Sequence, residues 1–488
     1  MASLEELKQE RIKKLELLRQ AGYNPYPAQT EINTSLEKAL ANFDSLIEKG
    51  KEITVGGRIM ALRRQGGLIF VDLVEGADRL QGLLKEDELG SQFGLFADTI
   101  DIGDFVQLTG KLLTTKRGEK TIQALGWKIL TKSLRPLPDS WSGLQDVEER
   151  LRKRYLDILL NDEVREMVIK KGQFWQAVRN FLLSQDFVEV ETPVLENTTG
   201  GADAKPFVTH HNTLDLDVYL RISTGELWQK KLMVAGLTKT FEIGRQFRNE
   251  GMDAEHLQDY TQMEFYLAYA DYEKGMQLVE ELFKHVAQKV FGTLQFTIGE
   301  FKVDLDQKWV RYDFCETVKK VTGVDVLTAD LAEIEKKLKE LEIDYDKKGF
   351  NITRAIDNLW KYCRRQIAGP GFLVGTPIEV SPLAKRDEKN PRLAQRFQPI
   401  IAGSELGNGY SELNDPLDQL TRFNEQAKLR EVGDEEAQMK DEEFVEALEY
   451  GMPPTCGFGM SERVFAFLAN KSMREAQIFP LMRPKEKS

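Results

Sequence analysis

Alternation with a period of two marks the stretch from Phe241 to Tyr272. Phe241, Ile243 and Phe247 share one parity while Glu242, Arg248 and Glu250 share the other, which predicts a strand with one apolar and one charged face. Further on, Met263, Phe265 and Leu267 face one way, and Gln262, Glu264 and Tyr266 the other. The pattern predicts two antiparallel strands joined by a long polar loop that holds Asp253, Glu255 and His256. An arginine and carboxylates on one sheet face are costly to bury without a ligand. A solvated amphipathic hairpin carries them at no cost, so the pattern alone leaves both readings open.

Elsewhere the periodicity changes several times. Leucines at 4, 7, 15, 17 and 18 among dense charges predict a polar-faced helix over residues 2–21, ended by NPYP at 24–27. From about Ile53 to Leu134, five short β runs separated by Gly turns, with a helical stretch near EDELGSQFGLF, have the layout of an OB-fold. A Pro-rich linker follows and becomes helical after Gly143. Next come a helix, EVREMVIKKGQFWQAVRNFLLSQ, and a strand ending at Pro193. Residues 273–370 are mostly helical, including the surface pattern LAEIEKKLKELEIDYDKK. The division expected is a helical extension over 1–50, a barrel over 51–135, a linker over 136–150 and an α+β domain over 151–488.

Composition narrows the function classes. The chain has 67 Lys plus Arg against 79 Asp plus Glu, a net charge of −12, which argues against wholesale nucleic-acid coating. One basic module stands out against this balance: Lys111, Lys116, Arg117, Lys120, Lys128, Lys132 and Arg135 lie within residues 104–135. Cys315, Cys363 and Cys456 are far apart and form no CxxC pair, which fits a reducing cytosol. No apolar run of about 18 residues occurs, so neither a membrane span nor a signal peptide is expected. His210 and His211 are adjacent and point to opposite faces of a strand, which is poor geometry for one metal ion.

FRNEG, with Arg248 and Glu250 where strand meets loop, resembles motif 2 of class II aminoacyl-tRNA synthetases. The helix and strand ending at Pro193 resemble motif 1, the dimer-forming element, and GMPPTCGFGMSERVFAFL resembles motif 3. GGADAKPFVTHHN is similar to a signature of the lysyl-tRNA synthetases, with Lys205 in place of the usual arginine. STGEL is one residue longer than the family's APEL and aligns Glu226 with its glutamate. Glu462 replaces the aspartate that generally precedes the motif 3 arginine, and HLQDY replaces HNPEF.

The resemblance covers nearly the whole chain and implies an α+β architecture: an OB-fold that binds the anticodon, then a class II catalytic domain with a mostly antiparallel sheet. It implies a cytoplasmic homodimer that activates lysine with ATP and transfers it to tRNA(Lys). Arg248 then meets the substrate carboxylate and α-phosphate, Arg463 the γ-phosphate or adenine, and Glu250 and Tyr260 the adenine neighbourhood. Glu264 and Tyr266 read the lysine side chain, while Glu226 and Asn414 handle the backbone end. Glu405 and Glu412 are seven residues apart and so of opposite parity; with a turn at Gly407 and Gly409 both could reach one Mg²⁺ near the triphosphate. Phe70 and Gln81 match the barrel's base-stacking aromatic and its glutamine, although parity alone does not tell an outward Phe70 from a core one. Three other readings stay open: a synthetase of the same subclass for aspartate or asparagine, a paralogue that modifies a protein, and a binding protein with a dead catalytic domain.

Overall fold

In the computed structural model, which describes residues 3–138, 146–202, 204–251, 256–347, 350–431 and 437–485, the chain divides into two units. One comprises Met1–Arg150 with Tyr155–Asp162, the other Leu151–Arg154 with Glu163–Ser488. Asp253, Glu255 and the linker around Gly143 lie outside the described residues.

In the first unit, α1 (Leu4–Gln20) precedes a closed five-stranded barrel. Its strands are β1 (Ile53–Gln65), β2 (Leu68–Glu75), β3 (Asp78–Lys85), β4 (Phe105–Thr114) and β5 (Lys120–Thr131), in the order β1-β2-β3-β5-β4. The helix α2 (Ser91–Thr99) lies between β3 and β4. The helical extension does not stand apart. Leu18, Leu36, Ala39 and Phe43 share one core with Val55, Val71, Leu84 and Trp127 of the barrel, and Tyr23 stacks on Trp127 at 5.1 Å.

The basic module is less available to a polyanion than its sequence implies. Lys132 is fully buried and bonds Asp104 at 2.7 Å and Asp101 at 2.6 Å. Lys128 is paired with Glu31, and Lys120 lies 5.0 Å over the Phe43 ring. Lys132 thus ties the exit of β5 to the loop before β4, a structural task that composition could not separate from RNA contact.

In the second unit, α3 (Asp162–Ser184) leads into a nine-stranded sheet. Eight of its strands are β6 (Val188–Glu189), β7 (Lys239–Phe247), β8 (Asp259–Ala268), β9 (Val310–Asp313), β10 (Gly371–Val374), β11 (Arg396–Ile401), β12 (Asn408–Ser411) and β13 (Thr455–Ser461). They run in the order β9-β10-β11-β12-β13-β8-β7-β6, with Ser404–Glu405 paired to β11 as the ninth. All neighbours are antiparallel except β6 with β7 and β9 with β10. The segment 273–370 therefore contributes β9 to the main sheet.

Three helices support this sheet: α4 (Glu226–Val234), α5 (Tyr272–Phe291) and α6 (Arg463–Leu468). The apolar parity of β8 packs into the core, where Phe265 is fully buried and meets Phe187 at 5.4 Å and Phe458 at 5.6 Å. The charged face of β7 is not solvated, because Glu242 is buried and bonds Arg221 at 2.6 Å.

Asp104→Asn removes the more deeply buried of the two carboxylates that pair with Lys132. Breaking such a pair costs about 3–5 kcal/mol, so urea unfolding of the N-terminal unit should show a loss of that order, whereas exposed Lys116→Ala should change little.

Candidate active site

Register on the central strands creates the site. Glu264 of β8 lies opposite Gly459 of β13, which in turn lies opposite Asn408 of β12; Tyr266, Gly457 and Tyr410 form the next row. The two glycines remove side chains where those on either side converge. A Cβ on Gly457 would stand 2.2 Å from Glu412 Oε1 and 2.6 Å from the Tyr266 ring, and one on Gly459 would stand 3.0 Å from Glu264 Cγ. The result is a cavity of about 320 Å³.

Along β8, Tyr260, Gln262, Glu264 and Tyr266 alternate onto the cavity face, with Ser461 of β13 beside Gln262. Arg248 follows β7 at the Tyr260 end, and Arg463 begins α6 just beyond Ser461. At about 3.4 Å per residue, Glu264 lies roughly 14 Å along the strand from Tyr260. The cavity thus has a cationic end and an anionic end.

The anionic end is buried. Glu226, Glu264 and Glu412 are 5%, 4% and 2% exposed, and Lys230, 1% exposed, lies between two of them. Its Nζ is 2.7 Å from Glu226 Oε1 and 2.6 Å from Glu412 Oε2. Tyr410 donates its hydroxyl to Glu226. Glu264 accepts from Thr224 N at 2.7 Å, Gln262 Nε2 at 2.5 Å and Tyr266 Oη at 3.2 Å.

Burial, with the negative charge of Glu226 adding to it, pushes the Glu264 carboxyl up to about 7. Burial likewise pushes Glu412 to about 8 against the opposing pull of Lys230. Burial also works against the charge on Lys230, but its two carboxylate neighbours outweigh it and the pKa is raised. Three buried carboxyl groups are thus gathered with one internal ammonium, so this end of the cavity favours positive charge.

Glu226 reaches this position through a local device. Gly225, with φ of 71°, takes the left-handed conformation just before α4, and a Cβ there would stand 2.2 Å from Thr192 Oγ1. The longer STGEL turn is therefore closed by a glycine, and the turn's Thr224 N–H is one of the donors that hold Glu264.

At the cationic end, Arg248 Nε donates to Ile222 O at 3.3 Å and its guanidinium lies 5.9 Å from the Tyr260 ring. Glu250 accepts from Lys205 N at 3.3 Å. Arg463 donates to Ser404 Oγ and lies 5.5 Å over the Phe467 ring. Glu405 also lines the cavity, accepting from Trp360 Nε1 and, at 3.2 Å, from Gln398 Nε2.

The two candidate metal ligands are therefore differently placed. Glu405 has only neutral donors on it among the described residues, which suits a hard cation that completes its shell with phosphate oxygens and water. Glu412 is committed to Lys230, so the expectation that both carboxylates serve one Mg²⁺ is not what this arrangement provides. No cluster of three or more metal-ligating side chains occurs among the described residues.

Asn414 does not line the cavity. It accepts from Lys385 Nζ at 2.7 Å and donates to Met452 O at 3.1 Å, beyond the end of β12. Its parity with Glu412 stops mattering once the strand ends at Ser411. Sequence reasoning did not single out Lys230, Gln262 or Arg396. Lys230 was findable, since it lies one helical turn from Glu226 at an i, i+4 spacing. Arg396 lines the cavity from β11 and donates to Asn408 Oδ1 at 2.7 Å; no local pattern marks it. His210 bonds Asp217 at 3.0 Å and His211 accepts from Leu214 N at 3.2 Å, both as local structural contacts.

On the barrel, register answers the question that parity left open. Ile69, Val71 and Leu73 are at most 1% exposed, so half-buried Phe70 points away from the core. Asp72 and Gln81 are cross-strand partners on that outer face. Asp72 is covered by Arg63 and Arg79, and Gln81 accepts from Thr121 Oγ1 at 3.1 Å.

Comparison with known proteins supplies the family. Residues 146–483 match the tRNA synthetases class II (D, K and N), and residues 53–130 match the OB-fold nucleic acid binding domain. A lysine–tRNA ligase of Thermoanaerobacter sp. (strain X514) is 42% identical over 99% of this chain and 97% of its own length. One from Roseiflexus sp. (strain RS-1) is 41% identical over 99% and 100%, and one from Thermotoga maritima 41% over 99% and 97%. With a polar, doubly charged cavity on its sheet and a barrel bearing an outward aromatic, the chain belongs to the class II tRNA synthetase family, among its lysine–tRNA ligases.

Proposed function

We propose that the cavity carries out the lysine–tRNA ligase reaction, with its anionic end holding both ammonium groups of lysine. The observation that supports this reading is the three buried carboxylates against one buried lysine. Glu264, aided by the Tyr266 hydroxyl, takes the ε-ammonium, and Glu226 the α-ammonium. Glu412 completes the charge of that end. The lysine carboxylate then points toward Arg248.

Activation joins the lysine carboxylate to the α-phosphate of ATP, forming lysyl-adenylate and releasing pyrophosphate. The lysyl group then passes to the terminal adenosine of tRNA. Neither step requires a protein nucleophile. Arg248 holds the carboxylate oxygen in line with the α-phosphate, and Arg463 offsets the charge that develops on the departing pyrophosphate. Glu250 and Tyr260 flank the adenine. A Mg²⁺ held by Glu405, with Glu412 joining only if it released Lys230, would neutralise phosphate charge when bound.

Binding of tRNA uses the outer face of the barrel, where Phe70 stacks an unpaired anticodon base and Gln81 hydrogen-bonds beside it. We also infer a homodimer. Ile169 and Leu183 on α3 and Val188, Val194 and Leu195 after it are 41–55% exposed, an apolar surface that a second copy would cover. A cytoplasmic setting accords with the three free cysteines.

Glu264→Gln keeps the shape of the pocket and removes its charge. A charge-assisted hydrogen bond contributes about 1.5–3 kcal/mol, so calorimetry should show lysine binding about 10- to 150-fold weaker.

The same carboxyl predicts a pH dependence. Its pKa is raised from 4.5 to about 7, so in the ligand-free protein its stabilising contribution is complete below about pH 4.5 and is lost as pH rises through about 7. Lysine binds the ionised form. Its stabilisation of the protein against heat should therefore be larger near about pH 8.5 than near about pH 6, and Glu264→Gln should flatten that difference.

Phe70→Ala should raise the KM for tRNA about 5- to 150-fold, given about 1–3 kcal/mol per stacked base. It should leave lysine-dependent ATP–pyrophosphate exchange unchanged.

A further inference from the structure

A second buried lysine, far from Lys230 in sequence, stands behind the cationic end. Lys171 lies on α3 and is 9% exposed. Its Nζ is 2.6 Å from Glu462 Oε2, and it donates to Ala476 O at 3.0 Å. Glu462 is 1% exposed and sits at the point where β13 turns into α6, immediately before Arg463.

The other contacts of Glu462 make it a junction. Its N–H donates to Thr261 O of β8 at 3.0 Å, its carbonyl accepts from Ala466 N at 3.1 Å, and its second carboxylate oxygen accepts from Gln477 Nε2. Phe174, one turn along α3 from Lys171, meets Phe465 of α6 at 5.7 Å. A helix, a strand and the C-terminal segment thus converge on the residue that sets the origin and direction of the Arg463 side chain. The longer arm of a glutamate reaches α3 where an aspartate in the same place would fall short by one methylene.

We propose that Lys171 is a positioning residue for Arg463: through Glu462 it fixes the first turn of α6 and so the place of the guanidinium in the cavity. Two residues along an α-helix are about 200° apart, so Lys171 and exposed Ile169 point to opposite sides of α3. The helix that carries the apolar surface on one side therefore anchors the nucleotide-facing arginine on the other. This inference rests on the assignment of Arg463 to ATP, and it concerns that substrate alone, because the lysine-holding carboxylates lie on α4, β8 and the end of β12.

The test is steady-state ATP–pyrophosphate exchange and calorimetric lysine binding with the full-length protein. Wild type must first show lysine-dependent exchange; if it does not, the proposed function fails and not this inference alone. Lys171→Met should raise the KM for ATP or lower kcat about tenfold or more, as a misplacement of about 1 Å at a reacting centre can cost 10²-fold, while lysine affinity stays within about twofold. Lys171→Arg, which keeps the charge, should recover most of the loss. Should Lys171→Met not fold, Glu462→Gln should show the same split between ATP and lysine. Unchanged ATP kinetics in a folded variant, or lysine affinity falling in step with ATP, would overturn the proposal.

Discussion

Burying three carboxylates against one ammonium is the constraint on which the second unit is built. Burial raises the pKa of Glu264 and Glu412, so the arrangement is a poor contributor to stability. Each is secured differently: Glu226 by the turn at Gly225 and the Tyr410 hydroxyl, Glu264 by three donors, and Glu412 by Lys230. Lys230 answers part of this charge through its pairs with Glu226 and Glu412.

The sheet makes this arrangement affordable in packing. Antiparallel register brings Glu264 and Asn408 to either side of Gly459, and Tyr266 and Tyr410 to either side of Gly457. Opposite parity sends Phe265, Phe458 and Phe397 into a continuous aromatic core, with Phe397 and Phe458 stacked at 5.7 Å. The hydrophobic face thus fixes the polar one: a slip of one residue on β8 would exchange Phe265 for Glu264 in the core. Charge then varies along the strand from the two arginines to the three carboxylates.

Much of this was legible in the chain. The alternation around Phe241–Tyr272 gave the central hairpin, and the spacing of short β runs gave the five-stranded barrel. What sequence could not supply was the partner across space. Glu412 looked like a metal ligand because its buried counter-ion, Lys230, sits on a helix some 180 residues earlier. Asn414 kept the right parity, but the strand ended before it. Lys132 reads in sequence as part of a basic face, whereas in space Asp101 and Asp104 close around it. Phe70 was undecidable by parity until the burial of Ile69, Val71 and Leu73 showed which face is core. In each case local pattern predicted the element, while the role depended on a tertiary contact.

The central claim is that this cavity selects an amino acid with a second ammonium group. It is tested most directly by amino-acid-dependent ATP–pyrophosphate exchange with each of the twenty amino acids in turn. Exchange with lysine alone is the predicted result. Exchange with aspartate or asparagine would contradict the reading of Glu226, Glu264 and Glu412 as the ligand's counter-charges, and exchange with none would contradict the assignment of the reaction to this cavity.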